Sequence, residues 1–338
     1  MPRQNPEPRR PRITVIGDAL IDELRDPGGS REFVGGAALN VAVGLSLLGD
    51  DVTLVAMVGD DEPGRRIRSY LDDYGVRLVA SPAPRGSSRA ISDRRDGEPR
   101  YEFNQAAVGR ALRFDQPTLA AIDDADLVVV SCYPFDDAEQ VAALRAAVAD
   151  SERRLVIDGN PRAGLLHDRS AFTRAFVGLS ARSLLVKVGD EDADLLLGDT
   201  LGAFVERLRG AADATDTTVP ADGTVPADAT DAAVPPRREP LAVLATAGRD
   251  GASVHHGDVR ASVGIVPLPG PVIDTMGAGD ATLSAVVHHL ARHGVPRDET
   301  SWASALEAAM SIAAATVRHE GALLRVPATR EPAELLGS

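Results

Sequence analysis

The clearest chemistry in this chain lies in one short stretch near its C-terminal end: Asp274, Thr275, Met276, Gly277, Ala278, Gly279 and Asp280. An apolar run from Ala281 to Val287 follows, so residues 277–290 read as the start and body of a largely buried helix. Its approach, residues 266–272, reads as a Pro- and Gly-rich strand and turn. Two glycines flanking an alanine allow a tight turn that gathers several backbone N–H groups at one point. At a helix N-terminus such groups, with the macrodipole, favour an anion. Asp280 puts a carboxylate in that same turn. The pairing does little for stability, but phosphoryl transfer needs both parts, donors for the phosphate and a base for the attacking hydroxyl. The same residues also fit a plain strand-to-helix turn whose Asp caps the helix, and the stretch alone leaves both readings open. It is not a Walker A loop, because no Gly-Lys-Ser/Thr follows. Nor is it a dinucleotide fingerprint, since Thr282 stands where Gly or Ala is needed.

The rest of the chain must position that turn. Its 338 residues can bury a sizeable core. No apolar run approaches the roughly 20 residues of a membrane span. The Pro- and Arg-rich residues 1–11 read as a disordered tail without a signal peptide's apolar centre, and residues 331–338 as a second tail. Cys132 is the only cysteine, which excludes an intrachain disulfide and a cysteine-cluster metal site. A cytoplasmic location fits best. The net charge of −14 argues against binding nucleic acid or an anionic membrane. Lys187 is the only lysine.

Apolar strands at 12–18, 52–58, 126–131, 155–157, 184–188 and 241–246 alternate with helical stretches, the rhythm of a sheet covered on both faces. The helix over 37–48 is apolar nearly all round and therefore buried. Residues 23–34 read as a hairpin or loop, and 90–103 as a hairpin turning at Asp96 and Gly97. Residues 211–240 are built of Ala, Asp, Thr, Val and Pro with a repeated Thr-Val-Pro-Ala-Asp, and read as a disordered insertion. His289 and His293 have the spacing of metal ligands on a helix, but no third ligand or Glu base accompanies them, which favours two ordinary histidines.

Two distant motifs together carry a resemblance. Asp274-Thr275-x-Gly277-Ala278-Gly279-Asp280 resembles the C-terminal signature of the ribokinase-like (PfkB) sugar kinases. Gly35-Gly36-Ala37-Ala38-Leu39-Asn40-Val41-Ala42 resembles their N-terminal signature. The resemblance implies a three-layer α/β/α sandwich with a small β-sheet lid, formed by segments 23–34 and 88–106 of a kinase domain spanning 12–330. It implies transfer of the γ-phosphoryl of ATP to a sugar hydroxyl. Asp280 would be the base, with the amides of Gly277, Ala278 and Gly279 receiving the developing charge. Asp22, Gly36 and Asn40 would hold the sugar, with Phe103 packing on it. Asp158-Gly159-Asn160-Pro161-Arg162 resembles a stretch of fructokinases and 2-keto-3-deoxygluconate kinases, and would bring Asn160 and Arg162 to the substrate. Lys187 matches a position near phosphate or in structural pairing. Thr246, Gly248 and Gly251 would line the nucleotide side, and Met310 would pack on adenine where the family often has Asn. Asp192 would help order the waters of Mg²⁺, and Asp274 would lie near K⁺. A homodimer through the lid is also implied. Fructose is the preferred acceptor, ahead of 2-keto-3-deoxygluconate, ribose and nucleosides; a catalytically idle sugar sensor is the reading from another class.

Overall fold

The structure is a computed structural model and describes residues 9–26, 28–93, 100–216 and 239–327. Strand β1 (Arg12–Gly17) leads into a hairpin, β2 (Leu20–Asp26) and β3 (Gly29–Gly35), and then into the buried helix α1 (Ala37–Leu47). The βα alternation continues with β4 (Asp51–Met57), α2 (Glu62–Asp73) and β5 (Arg77–Ser81). Two more lid strands, β6 (Ser88–Asp93) and β7 (Arg100–Phe103), precede the one-turn α3 (Gln105–Val108) and then α4 (Gln116–Asp124). β8 (Leu127–Ser131), α5 (Ala138–Ala147), β9 (Leu155–Asp158) and α6 (Arg169–Ser180) come next. They are followed by β10 (Leu185–Gly189), α7 (Asp190–Leu197) and α8 (Leu201–Asp216). The chain then forms β11 (Ala242–Thr246), β12 (Ala252–His256), β13 (Val259–Val263), α9 (Ala278–His293) and α10 (Glu299–Thr316).

Nine strands build the main sheet in the order β13-β12-β11-β10-β9-β8-β1-β4-β5. All pairs from β11 to β5 are parallel, and only β12 and β13 run antiparallel at one edge. Parallel strands need helical crossovers on both faces, which explains why strands such as Leu-Val-Val-Val-Ser (β8) are apolar throughout and wholly buried. One face packs on α1, α9 and α10 through Leu39, Val43, Val286 and Trp302. The other packs on α5, α6 and α8, where Tyr133, Phe135, Phe172, Phe176 and Phe204 form a chain of tilted and edge-on ring contacts. A separate four-stranded sheet, β3-β2-β6-β7, forms the lid.

Three segments differ from the sequence reading. Residues 266–272 hold no strand; the chain from β13 to α9 is irregular. The Pro and Gly residues that mark a turn there leave too little ladder for pairing. Residues 211–216 complete α8 instead of opening an irregular insertion. Once Phe204, Val205 and Leu208 dock the helix on the sheet, the alanines that follow extend it at little cost. Residues 217–238, 1–8 and 328–338, with the turn at Asp96 and Gly97, lie outside the described residues. Residues 9–11 are tied down: Arg9 pairs with Asp126 at 2.6 Å, and the Pro11 carbonyl accepts from the Asp51 amide at 2.9 Å.

Candidate active site

The carboxyl ends of β1, β8, β9 and β10 form one row, with Gly17 opposite Ser131, Ser131 opposite Asp158 and Asp158 opposite Lys187. In open α/β sheets this edge is where ligands bind. Here it faces the lid on one side and the start of α9 on the other.

Gly277 caps α9 in the left-handed region, with φ 78°. A Cβ there would lie 2.7 Å from Ala322, so only glycine lets the turn seat against the loop that follows α10. The Ala278 N–H turns to the Thr275 carbonyl at 3.3 Å, while those of Gly277 and Gly279 make no hydrogen bond among the described residues. The expected trio of amides thus comes down to two free donors, because the tight turn engages Ala278 itself.

Asp280 sits in the first turn of α9 and is 7% exposed. Its Oδ2 accepts a hydrogen bond of 2.9 Å from Asn40 Nδ2 on α1, so two residues from opposite ends of the chain meet. Burial pushes the Asp280 pKa up to about 6, opposed by the Asn40 hydrogen bond and by Lys187 and Arg162. Gly36 caps α1 at φ 108°, packed against the Asp18 carbonyl. Asp22 lies on β2 beside Gly35. Desolvation raises it to about 7, helped by the like charges of Asp18, Asp280 and Asp274 and resisted by Arg162. Arg162 is exposed at the cleft mouth and forms no ion pair among the described residues. Asn160 is buried beside it, with the unusual φ of 39°.

Lys187 takes the pairing role. It is 5% exposed, its Nζ lies 3.0 Å from Asp158 Oδ1, and its side chain passes beneath Gly279. Asp158 in turn accepts from Ser131 Oγ at 3.3 Å. Asp192 Oδ2 accepts from the Gly189 amide at 2.7 Å and so closes the N-terminus of α7. Its pKa rises to about 6 through burial, opposed by Lys187. Asp274 bridges two loops by accepting from the Met276 and Gly321 amides at 3.1 and 3.2 Å.

The residues expected on the nucleotide side divide. Thr246 and Gly248 end β11 and open the turn to β12, with Thr246 Oγ1 donating to the Val188 carbonyl at 3.4 Å. Gly251 is demanded by the hairpin itself, since at φ 90° a Cβ would meet the Val263 carbonyl at 2.2 Å. Met310 is 7% exposed within the core under α10, so its side chain is already spent on packing. Among the described residues, no group of three or more His, Cys, Asp or Glu side chains is arranged to hold a metal ion. The His289 and His293 rings pack at a tilt of 48° with centroids 5.0 Å apart.

Sequence reasoning missed Phe33. In the lid register Asp22 lies opposite Phe33 on one side and Ala90 on the other, and Ala90 lies opposite Phe103. Residues in one row share a face, so Phe33 lies directly beside Asp22 and Phe103 one strand beyond Ala90 on the same face. The Phe33 ring also reaches Gly321, 3.6 Å from where a Cβ would stand, and neighbouring Arg31 pairs with Glu320. Period-two alternation along Arg31, Phe33 and Gly35 was the available signal.

A sequence profile of pfkB family carbohydrate kinases matches residues 12–329. The chain belongs to that family and is a phosphotransferase, a carbohydrate kinase. A fructokinase of Klebsiella pneumoniae is 26% identical over 325 residues, spanning 94% of this chain and 96% of its own length. A Vibrio cholerae fructokinase structure with fructose, ADP and calcium superposes with a TM-score of 0.67 at 22% identity, over 93% of this chain and 94% of its own. Salmonella enterica aminoimidazole riboside kinase, solved with its riboside and an ATP analogue, gives 0.69 at 20% identity over 92% and 95%. These structures establish the ribokinase-like fold.

Proposed function

We propose that the enzyme transfers the γ-phosphoryl of ATP to a primary hydroxyl of a small sugar, with fructose the first acceptor to test. One observation carries this reading: the 2.9 Å contact between Asn40 and Asp280 joins the two signature motifs beside the amides that open α9. Asn40, Gly36 and Asp22 grip the acceptor under the lid, with Phe103, Asn160 and Arg162 around it. Asp280, ionised above pH 6, takes the proton of the attacking hydroxyl. The Gly277 and Gly279 amides, with Ala278 turned aside, stabilise charge on the travelling group. Thr246 and Gly248 border the nucleotide. A magnesium ion accompanying ATP would neutralise its phosphates; with no protein cage among the described residues it would be held by phosphate and water, and the free oxygen of Asp192 suits that water shell.

A cytoplasmic location and a K⁺ site by Asp274 belong to the same proposal. No helix among the described residues is long and apolar enough to cross a membrane. A lid-to-lid homodimer would have to work around Glu32, which Arg66 and Arg89 hold on the lid's far face. A second acceptor, 2-keto-3-deoxygluconate, is favoured by Arg162, whose unpaired guanidinium suits a carboxylate. ADP release measured over ketoses, aldoses, keto-deoxy acids and nucleosides decides among acceptors, and silence across the whole panel would sink the kinase reading of this cleft.

A further inference from the structure

Arg110, in the loop after α3, is only 9% exposed, yet no acid pairs with it among the described residues. Its Nη1 donates to the Ala107 carbonyl at 3.3 Å, while its Nε is fully buried and has no partner. A buried guanidinium with an unmet donor is costly, and such groups survive where something arrives to satisfy them. The Nε belongs to a side chain lining a small cavity with Asp18, Ser88, Leu112 and Cys132. Its volume, about 10 Å³, admits one oxygen-sized group.

Asp18 lines the same cavity and is itself 9% exposed. Asp18 Oδ1 accepts from the Ala38 amide at 3.0 Å. Asp18 lies at the carboxyl end of β1, against Gly36 and within electrostatic range of Asp22. Asp18 thus joins the cavity lining to the residues of the acceptor grip. A guanidinium donor and a carboxylate acceptor in one lining select a group that can both accept and donate. A hydroxyl does both; a carboxylate has nothing to donate to Asp18.

We propose that Arg110 is a specificity-determining residue, which with Asp18 binds one hydroxyl of the sugar at the end remote from the reacting one. This rests on the cleft of Asp22 and Asn40 being the acceptor site. It also requires a hydroxyl, and not a carboxylate, at that end of the acceptor.

The test is steady-state kinetics of Arg110→Met and Arg110→Lys with fructose and each singly deoxygenated fructose. Arg110→Met raises the fructose KM at least ~10-fold while the ATP KM stays within about twofold, since the lost bond involves a charged donor. Arg110→Lys recovers part of the loss. One deoxyfructose, lacking the hydroxyl in question, has the same KM with wild type and variant. An unchanged fructose KM overturns the proposal, as does an equal rise for every analogue, the signature of a cavity filled by water alone. If thermal unfolding shows that Arg110→Met does not fold, Asp18→Asn is read on the same series with the same outcomes. Failure of wild type to phosphorylate fructose counts against the acceptor chosen above; the comparison then uses the sugar it does phosphorylate and that sugar's deoxy forms.

Discussion

Asp280→Asn separates the cost of the site from its use. The carboxylate is buried in the first turn of α9, and its pKa stands at about 6 against an ordinary 3.8. That displacement corresponds to about 3 kcal/mol withheld from the folded, ionised state, since each pH unit is worth about 1.4 kcal/mol. The sign follows from proton binding. The folded state holds the proton more tightly, so the penalty is absent below about pH 4, grows from there to pH 6 and is complete above it. Asn cannot ionise, and its carbonyl still accepts from Asn40. The variant should therefore melt higher than wild type at pH 8, by about 3–6 °C for a domain of this size, with the gap closing towards pH 4. Its kcat should fall at least ~10²-fold. Wild-type kcat should itself fall about tenfold per pH unit below pH 6 as the base is protonated. Calorimetry at pH 8 and 4.5, beside coupled ADP-release kinetics, reads all of this. A variant that melts lower at pH 8 would show the carboxylate to be a net structural contributor, and near-normal turnover would remove it from the chemistry.

Other perturbations discriminate the remaining parts. Gly277→Ala forces a Cβ onto Ala322 at a left-handed φ, for a combined cost of about 2–4 kcal/mol, and should lower both Tm and kcat; an unchanged kcat would show that the turn's shape is irrelevant. Phe33→Ala should raise the sugar KM several-fold and leave the ATP KM alone, and the reverse pattern would move Phe33 off the acceptor. Lys187→Met leaves Asp158 buried and unpaired and should cost about 3–5 kcal/mol, largely restored by adding Asp158→Asn; a rise in the ATP KM without loss of Tm would instead make Lys187 a phosphate ligand.

Much of this architecture was legible before folding. The parallel core strands announce themselves as unbroken apolar runs, and one glycine of each signature, Gly36 and Gly277, falls where backbone must approach backbone. What stayed hidden depends on spatial neighbours far apart in sequence. Nothing around Lys187 says that Asp158 waits 3.0 Å away, or that Met310 faces inward from α10. Arg110 looked like any loop arginine until the fold buried it. Residues 211–216 misled because composition was read without the docked helix that precedes them.

The solitary lysine has a practical corollary. With its amine sealed between Asp158 and the underside of Gly279, this protein offers acylating reagents no exposed ε-amino group in its native state. Any stable adduct at that nitrogen must record a moment when β10 and the opening turn of α9 had parted, which makes the side chain a built-in clock for breathing at the heart of the cleft.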